Sequence, residues 1–228
     1  MRRLLPDPAD EVDLADAYAY PAGRARWLRA NMVASADGAA TAADGLSGTL
    51  SSPADRRVFH LLRDLADVVV VGAGTVRAEG YRPARLPIAV VSGRLDLDLS
   101  APLLAGTGPR TVVLTTAAVP AERLAAARAV ADVVVCGVDR VDPALAVAAL
   151  AERGHRRLLC EGGPRLLGQL AAAGLLDELC LTIAPLLASG EGPRALAGPP
   201  LLPPVPLRLD HLLEEDGALF ARYVVRRD

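Results

Sequence analysis

The sequence predicts one α/β domain: a mostly parallel central sheet flanked by helices, with antiparallel strands at its C-terminal end. Three observations lead there. The runs ADVVVVG (66–72), PIAVVS (87–92), TVVLTT (111–116) and VADVVVCG (130–137) show no polar alternation, as expected of strands covered on both faces. Helical patterns separate most of these runs, and strand–helix–strand order implies a parallel sheet. The last third changes character. DELCLTIAPLL (177–187), PLRLDHLLEE (206–215) and ALFARYVVRR (218–227) are joined by Pro/Gly-rich loops or by the turn at Asp216-Gly217, which suggests antiparallel pairing.

Taken in order, residues 1–26 are polar and Pro-containing and read as a surface arm. Residues 27–228 form the single domain. WLRANMVAS (27–35) is a buried strand, and the small-residue loop after it carries Gly38, Gly45 and Gly48. Ser52-Pro53-Ala54-Asp55 has the form of a helix start: a Ser cap, Pro in the first turn and an acid beside it. That helix places Val58, Leu61, Leu62 and Leu65 on one face. A short helix begins near Thr75, others near Pro120 and Asp142, and RRLLCEGG (156–163) is a further strand whose end opens another helix.

The totals narrow the function. The chain has 228 residues, and 52% of them are apolar, enough for a core on both sides of a sheet. Formal charge is −2, and no basic stripe interleaves with aromatics, so nucleic acid is not an expected partner. The N-terminal MRRLLPDPADEVD lacks the apolar stretch of a signal peptide. No segment approaches the roughly 20 apolar residues of a membrane helix, so a cytoplasmic protein is expected. Cys136, Cys160 and Cys180 stand far apart in apolar runs, like His60, His155 and His211 along the chain. Buried thiols and no metal site are the expectation.

Four stretches could carry chemistry. In VVVVGAGTVRAEGY, Gly72, Gly74 and Thr75 follow a strand end, where bare backbone lets a phosphate approach a helix start. Arg77 stands where the dinucleotide fingerprint needs its third glycine, so a plain structural turn stays open. Ser92-Gly93-Arg94 ends the next strand; a hydroxyl and a guanidinium there suit a 2′-phosphate, hence NADPH over NADH, although Arg94 could equally be a surface turn. Glu161-Gly162-Gly163-Pro164 joins strand to helix, putting backbone N–H groups and a carboxylate where ligands of open sheets collect. Ser35-Ala36-Asp37-Gly38 offers a second carboxylate, with an Asx-turn as the bland reading.

The combination NMVASADG, SGTLSS…LLRDLADVVVVGAGTVRAEGY and CEGGPRLLGQLAAAGLLDELCLTIAP resembles the RibD C-terminal, bacterial pyrimidine-reductase family. The resemblance runs from about Trp27 to the C-terminus and implies a dihydrofolate-reductase-like fold, a homodimer, and NADPH-dependent reduction of a ribosylamino-pyrimidine phosphate of riboflavin biosynthesis. It implies cofactor contacts at Val33, Thr49, Thr75, Glu79, Ser92 and the segment Gly163 to Gln169, which includes Pro164, Arg165 and Leu166. It implies substrate contacts at Ser47, Arg63 and Glu161, and Asp37 matches the acid of the family's SxDG element. Asp37 and Glu161 are the catalytic candidates. The zinc-deaminase half of bifunctional relatives has no counterpart here. One element departs: where the family continues DDPxLTxR to help bind the ribose phosphate, this chain has AEGYRPARLP, with Arg82 or Arg85 as replacements. A reductase of another heterocycle, such as a dihydrofolate-like pterin, and a non-catalytic NADPH binder are the alternatives.

Overall fold

The computed structural model describes residues 1–227. Ten strands form one sheet, in the order β1-β9-β10-β8-β2-β7-β3-β4-β5-β6. They are β1 (Arg2–Leu5), β2 (Trp27–Ser35), β3 (Val68–Gly72), β4 (Ile88–Val91), β5 (Val112–Thr115), β6 (Asp132–Val135), β7 (Arg157–Cys160), β8 (Glu178–Ala184), β9 (Leu207–Glu215) and β10 (Ala218–Val225). From β8 through β6 all neighbours run parallel, while β10, β9 and β1 are antiparallel additions. The apolar runs of Val68–Val71 and Leu158–Cys160 are buried throughout, as two-sided coverage requires.

Seven helices connect the strands: α1 (Leu14–Ala17), α2 (Pro53–Leu65), α3 (Ala73–Ala78), α4 (Pro102–Ala105), α5 (Ala121–Val130), α6 (Pro143–Glu152) and α7 (Pro164–Ala172). Ser52 caps α2, its side chain accepting from the Asp55 N–H, and Asp142 caps α6 in the same way; each satisfies an otherwise orphan donor. One core layer takes Val58 and Leu62 of α2, Val76 of α3 and Ala127 of α5 against Val69, Val71 and Leu159. The opposite layer packs Val147 and Leu150 of α6 and Leu167 and Leu170 of α7 against Val68, Val70 and Leu158. All three cysteines are free and buried.

Two expectations change. The first 26 residues are more than a surface arm: β1 pairs with β9, and Tyr18 is buried in the core. The apolar Met1, Val12 and Leu14 pack against that same layer, which is why a segment of polar composition folds onto the sheet. Meanwhile β8 is an interior strand, parallel to β2 and antiparallel to β10. Its alternating burial puts Glu178, Cys180, Thr182 and Ala184 on a buried face that carries a polar cluster, and leaves Leu179, Leu181 and Ile183 half-buried on the other.

That cluster joins the two halves of the sheet. Arg29 of β2 and Glu178 of β8 are register partners, both fully buried, with Arg29 Nε 2.6 Å from the carboxylate. Arg222 of β10 donates to the same carboxylate at 2.9 and 3.1 Å, and Trp27 Nε1 at 2.7 Å. The Arg29 guanidinium lies 4.0 Å over the Tyr20 ring. Arg222 also donates to the carbonyls of Ala17 and Ala19, tying the N-terminal segment to the last strand.

Candidate active site

The sheet order places β7 between β2 and β3, so two glycine-bearing strand ends become neighbours. The Gly72 N–H at the end of β3 donates to the Gly162 carbonyl beyond β7 at 2.8 Å. Gly162 has φ +81°, a conformation that favours glycine, and a Cβ there would meet Met32 Sδ at 3.2 Å. A Cβ on Gly163 would lie 2.7 Å from the Thr75 hydroxyl oxygen. Both positions therefore demand bare backbone. Directly after them α7 starts with Pro164, and its first-turn N–H groups have no intrahelical partner.

Beside this junction lies a cavity of about 650 Å³, within the size range of small-molecule sites. Its walls are the end of β2 (Asn31, Met32, Val33), the loop carrying Gly45, Ser47 and Gly48, one face of α2, the turn from Gly74 to Pro83, and Glu161, Gly163 and Pro164. On its inner side stands an ion pair. Arg63 Nε and Nη2 donate to the two oxygens of Glu161 at 2.6 and 2.7 Å, a bidentate fork of the strong charge-assisted type. The Tyr81 hydroxyl donates to Glu161 Oε2 at 2.6 Å. The Arg63 guanidinium sits 4.3 Å over the Phe59 ring. Burial opposes the charge of Arg63, but the Glu161 carboxylate outweighs it and holds Arg63 above its ordinary value. Burial first, and the Glu161 charge second, push the Tyr81 phenol well above its usual range, so it keeps its proton at neutral pH.

The residues singled out from sequence divide three ways. Val33, Ser47, Arg63, Gly74, Thr75, Glu79, Glu161, Gly163 and Pro164 line the cavity. Ser47 and Glu79, expected on substrate and cofactor respectively, are bonded to each other: the Ser47 N–H and hydroxyl both donate to Glu79 Oε1, at 2.9 and 2.8 Å. Gly72, Gly162, Ser92 and Arg94 lie at the same carboxyl edge of the sheet without lining the cavity. Ser92 is buried, its carbonyl accepting from Thr115, and Arg94 is exposed. Arg165 is exposed on the first turn of α7.

Three of the expected residues stand apart from the cavity lining. Asp37 lies outside it, and its carboxylate is occupied: Ser35 donates to it at 2.5 Å and the N–H groups of Ala188 and Ser189 at 3.0 and 2.7 Å. Those bonds, Ser35 foremost, hold its pKa at about 2. Thr49 is exposed and donates to Asp44. The Leu166 side chain packs into the core layer beneath α7, leaving only its backbone for a ligand.

Sequence reading passed over Tyr81, Phe59, His60, Arg56 and Asn31, all in the cavity wall. A signal for two of them existed: Arg56 and His60 recur with Arg63 at helical spacing on the face of α2 opposite Val58 and Leu62. Among the described residues no group of three or more His, Cys, Asp or Glu is arranged to hold a metal ion, and no helix is long and apolar enough to cross a membrane.

The model of the RibD C-terminal domain matches residues 26–217. The chain belongs to this family. It is 33% identical over 175 residues to the 2,5-diamino-6-ribosylamino-4(3H)-pyrimidinone 5′-phosphate reductase of Methanothermobacter thermautotrophicus, covering 73% of this chain and 81% of that protein. Among solved structures, a pyrimidine reductase-like protein from Corynebacterium diphtheriae aligns with TM-score 0.83 and 28% identity, over 95% of this chain and 100% of its own. Dihydrofolate reductase from Enterococcus faecalis shares the fold at TM-score 0.52 and 14% identity, over 88% of this chain and 97% of its own. A RibD C-terminal fold with these neighbours points to a nicotinamide cofactor.

Proposed function

We propose that the chain is an NADPH-dependent reductase of a ribosylamino-pyrimidine 5′-phosphate in riboflavin biosynthesis. The observation that carries this reading is the Glu161 carboxylate, nearly buried in the cavity wall, fixed by Arg63 and Tyr81 and followed at once by Gly162-Gly163 and the start of α7. One acid and one stretch of bare backbone, adjacent in sequence, serve two ligands.

The residues fit a dinucleotide. Crowding at Gly163, where a Cβ would meet Thr75, and open space at Gly74 leave the two strand ends free of side chains where a diphosphate would approach. Gly162, Gly163, Pro164, Arg165 and the backbone of Leu166 would hold it from one side, and Gly72, Gly74 and Thr75 from the other. Arg94, exposed beyond β4, would meet a 2′-phosphate. Arg94→Ala is then expected to raise the KM for NADPH about tenfold, with the KM for NADH unmoved; equal changes in both would remove Arg94 from that role.

When bound, the cofactor supplies a hydride from its nicotinamide. The protein's part is positional. Glu161 accepts from ring N–H or amino groups of the heterocycle, and Arg63 prevents it from rotating away. Tyr81 retains its phenolic proton and remains a donor on the cavity side of the carboxylate. The Ser47–Glu79 bonds close the loop over α3 and restrict water.

NADPH oxidation, followed with the pyrimidine phosphate beside dihydrofolate, tests the reading. Rapid turnover of the first is the expected result; turnover of dihydrofolate alone would replace the substrate. We also infer a homodimer in the cytoplasm. Leu187, at 83% exposure beyond β8, and Leu186 beside it supply apolar surface for such a contact, and a monomer in light scattering would refute the assembly.

A further inference from the structure

A second cavity, of about 560 Å³, lies at the amino edge of the parallel strands and is also within the size range of small-molecule sites. β2 and β7 begin there, at Trp27 and Arg157, which are register partners. It shares no lining residue with the active-site cavity at the carboxyl edge.

Its charges do not balance. Arg24, Arg156 and Arg157 line it against a single carboxylate, Asp67, in a chain whose formal charge is −2. That carboxylate is already taken: Arg157 Nε and Nη2 donate to it at 2.9 and 2.6 Å, and the N–H groups of Arg156 and Arg157 at 2.8 Å each. Arg24 and Arg156 are exposed, and neither guanidinium makes a hydrogen bond or ion pair among the described residues. Two such forks on one cavity match the oxygens of a phosphate group.

The cavity also has an aromatic wall. Trp27, the single tryptophan of the chain, is half-buried, with its indole N–H turned inward to Glu178 at 2.7 Å. The Arg24 guanidinium stands 5.8 Å from the centroid of its ring. Tyr20, Pro21 and Leu65 extend this surface. A planar ring stacks on an aromatic wall whatever its pattern of donors and acceptors, and a neighbouring guanidinium adds to the attraction.

We propose that this cavity is a second ligand site, separate from the active site, for a phosphate monoester of a planar heterocycle of the kind a nucleoside 5′-monophosphate presents. Arg24 and Arg156 hold the phosphate, and Trp27 with Tyr20 takes the ring. Arg157 stays on Asp67 and fixes the floor. The site does not depend on the reaction carried out at the other edge of the sheet.

Trp27 emission, followed while the full-length protein is titrated with 5′-AMP or with adenosine, reads this cavity alone, because no other tryptophan contributes. 5′-AMP is expected to quench it saturably and adenosine not to. R24A/R156A is expected to weaken the 5′-AMP titration by about tenfold or more, since both charge-assisted contacts are lost. R140A, which removes an exposed cation outside the cavity, should leave it unchanged. Neither Arg24 nor Arg156 holds another residue by a side-chain hydrogen bond, so the double variant should keep the wild-type melting temperature. No saturable quenching in the wild type, equal quenching by adenosine, or an unweakened titration of R24A/R156A each overturns the site. A calorimetric 5′-AMP signal that leaves Trp27 emission unmoved places the binding elsewhere and overturns it as well.

Discussion

Replacing Glu178 by Gln keeps the shape of the side chain and removes its charge. Two guanidiniums then remain buried between β2, β8 and β10 without their shared carboxylate. Arg29 has no other acid, and its Nη1 already lacks a polar partner; Arg222 keeps only Asp210, at 3.4 Å. Burial alone would raise the Glu178 carboxyl, but the charges of Arg29 and Arg222 outweigh it and hold it below the usual carboxylate range, so the pair is ionised at neutral pH. Breaking a buried pair of this kind costs about 3–5 kcal/mol. For a chain of this size each kcal/mol moves the melting temperature by about 2–4 °C, so a fall of roughly 6–20 °C is expected. The assay is thermal unfolding by circular dichroism beside Arg110→Gln. That substitution breaks a pair with Asp132 whose side chains are both about half exposed, and it should cost less than about 1 kcal/mol. If Glu178→Gln lowers the melting temperature no more than Arg110→Gln does, the buried cluster does not contribute as argued.

Tyr81→Phe removes one hydrogen bond to the Glu161 carboxylate, a loss of about 1.5 kcal/mol, and kcat/KM should fall about tenfold; unchanged steady-state kinetics would make the hydroxyl incidental. Glu161→Gln should cost at least about a hundredfold, since it removes a charge-assisted anchor worth about 3 kcal/mol, whereas Asp37→Asn should stay within about tenfold because Asp37 acts only through the 188–189 loop; a larger loss for Asp37→Asn would restore it as a catalytic group. His211 is buried with Nε2 unpartnered, and burial, followed by the Arg222 charge, lowers its pKa from 6.5 to about 4. Between those values the unfolded chain binds a proton the folded one refuses, so stability is full above about pH 6.5 and declines toward pH 4, by about 3 kcal/mol in all. Denaturant titrations of His211→Phe should show that decline flattened, and an unaltered slope would assign it to other groups.

The parallel half of the sheet was legible because its strands are covered on both sides: Val68–Val71 and Leu158–Cys160 can occur as unbroken apolar runs only there. Glu161 was legible because glycine and proline mark the strand–helix junction it ends. Tyr81 and Arg56 were not, since nothing local separates a cavity-facing Tyr or Arg from a surface one; only the closure of α2 against the turn after α3 brings them together. Asp37 is the converse case. Its SxDG setting allowed both an Asx-turn and a substrate anchor, and the backbone donors that occupy its carboxylate, Ala188 and Ser189, lie some 150 residues away. The N-terminal segment was underestimated because polar composition conceals a few well-placed apolar residues, Tyr18 above all, and because pairing of β1 with β9 spans nearly the whole chain.

The buried cluster and the cavity are linked through β2. This strand is parallel to both neighbours, begins at Trp27 and Arg29 on Glu178, and passes through the cavity wall at Asn31, Met32 and Val33. Side chains alternate along a strand, so a slip of one residue exchanges every face. Here such a slip would set Arg29 opposite Leu179 in place of Glu178 and turn Met32 away from Gly162. An apolar pairing at Arg29 would tolerate that slip at little cost, since the neighbouring residues Leu28 and Ala30 are themselves apolar. A single carboxylate shared by cations from two strands does not tolerate it. The charge cluster thus fixes β2 in the one register that brings its carboxyl end against Glu161 and Gly162, which couples the stability of the antiparallel half to the shape of the site at the parallel edge.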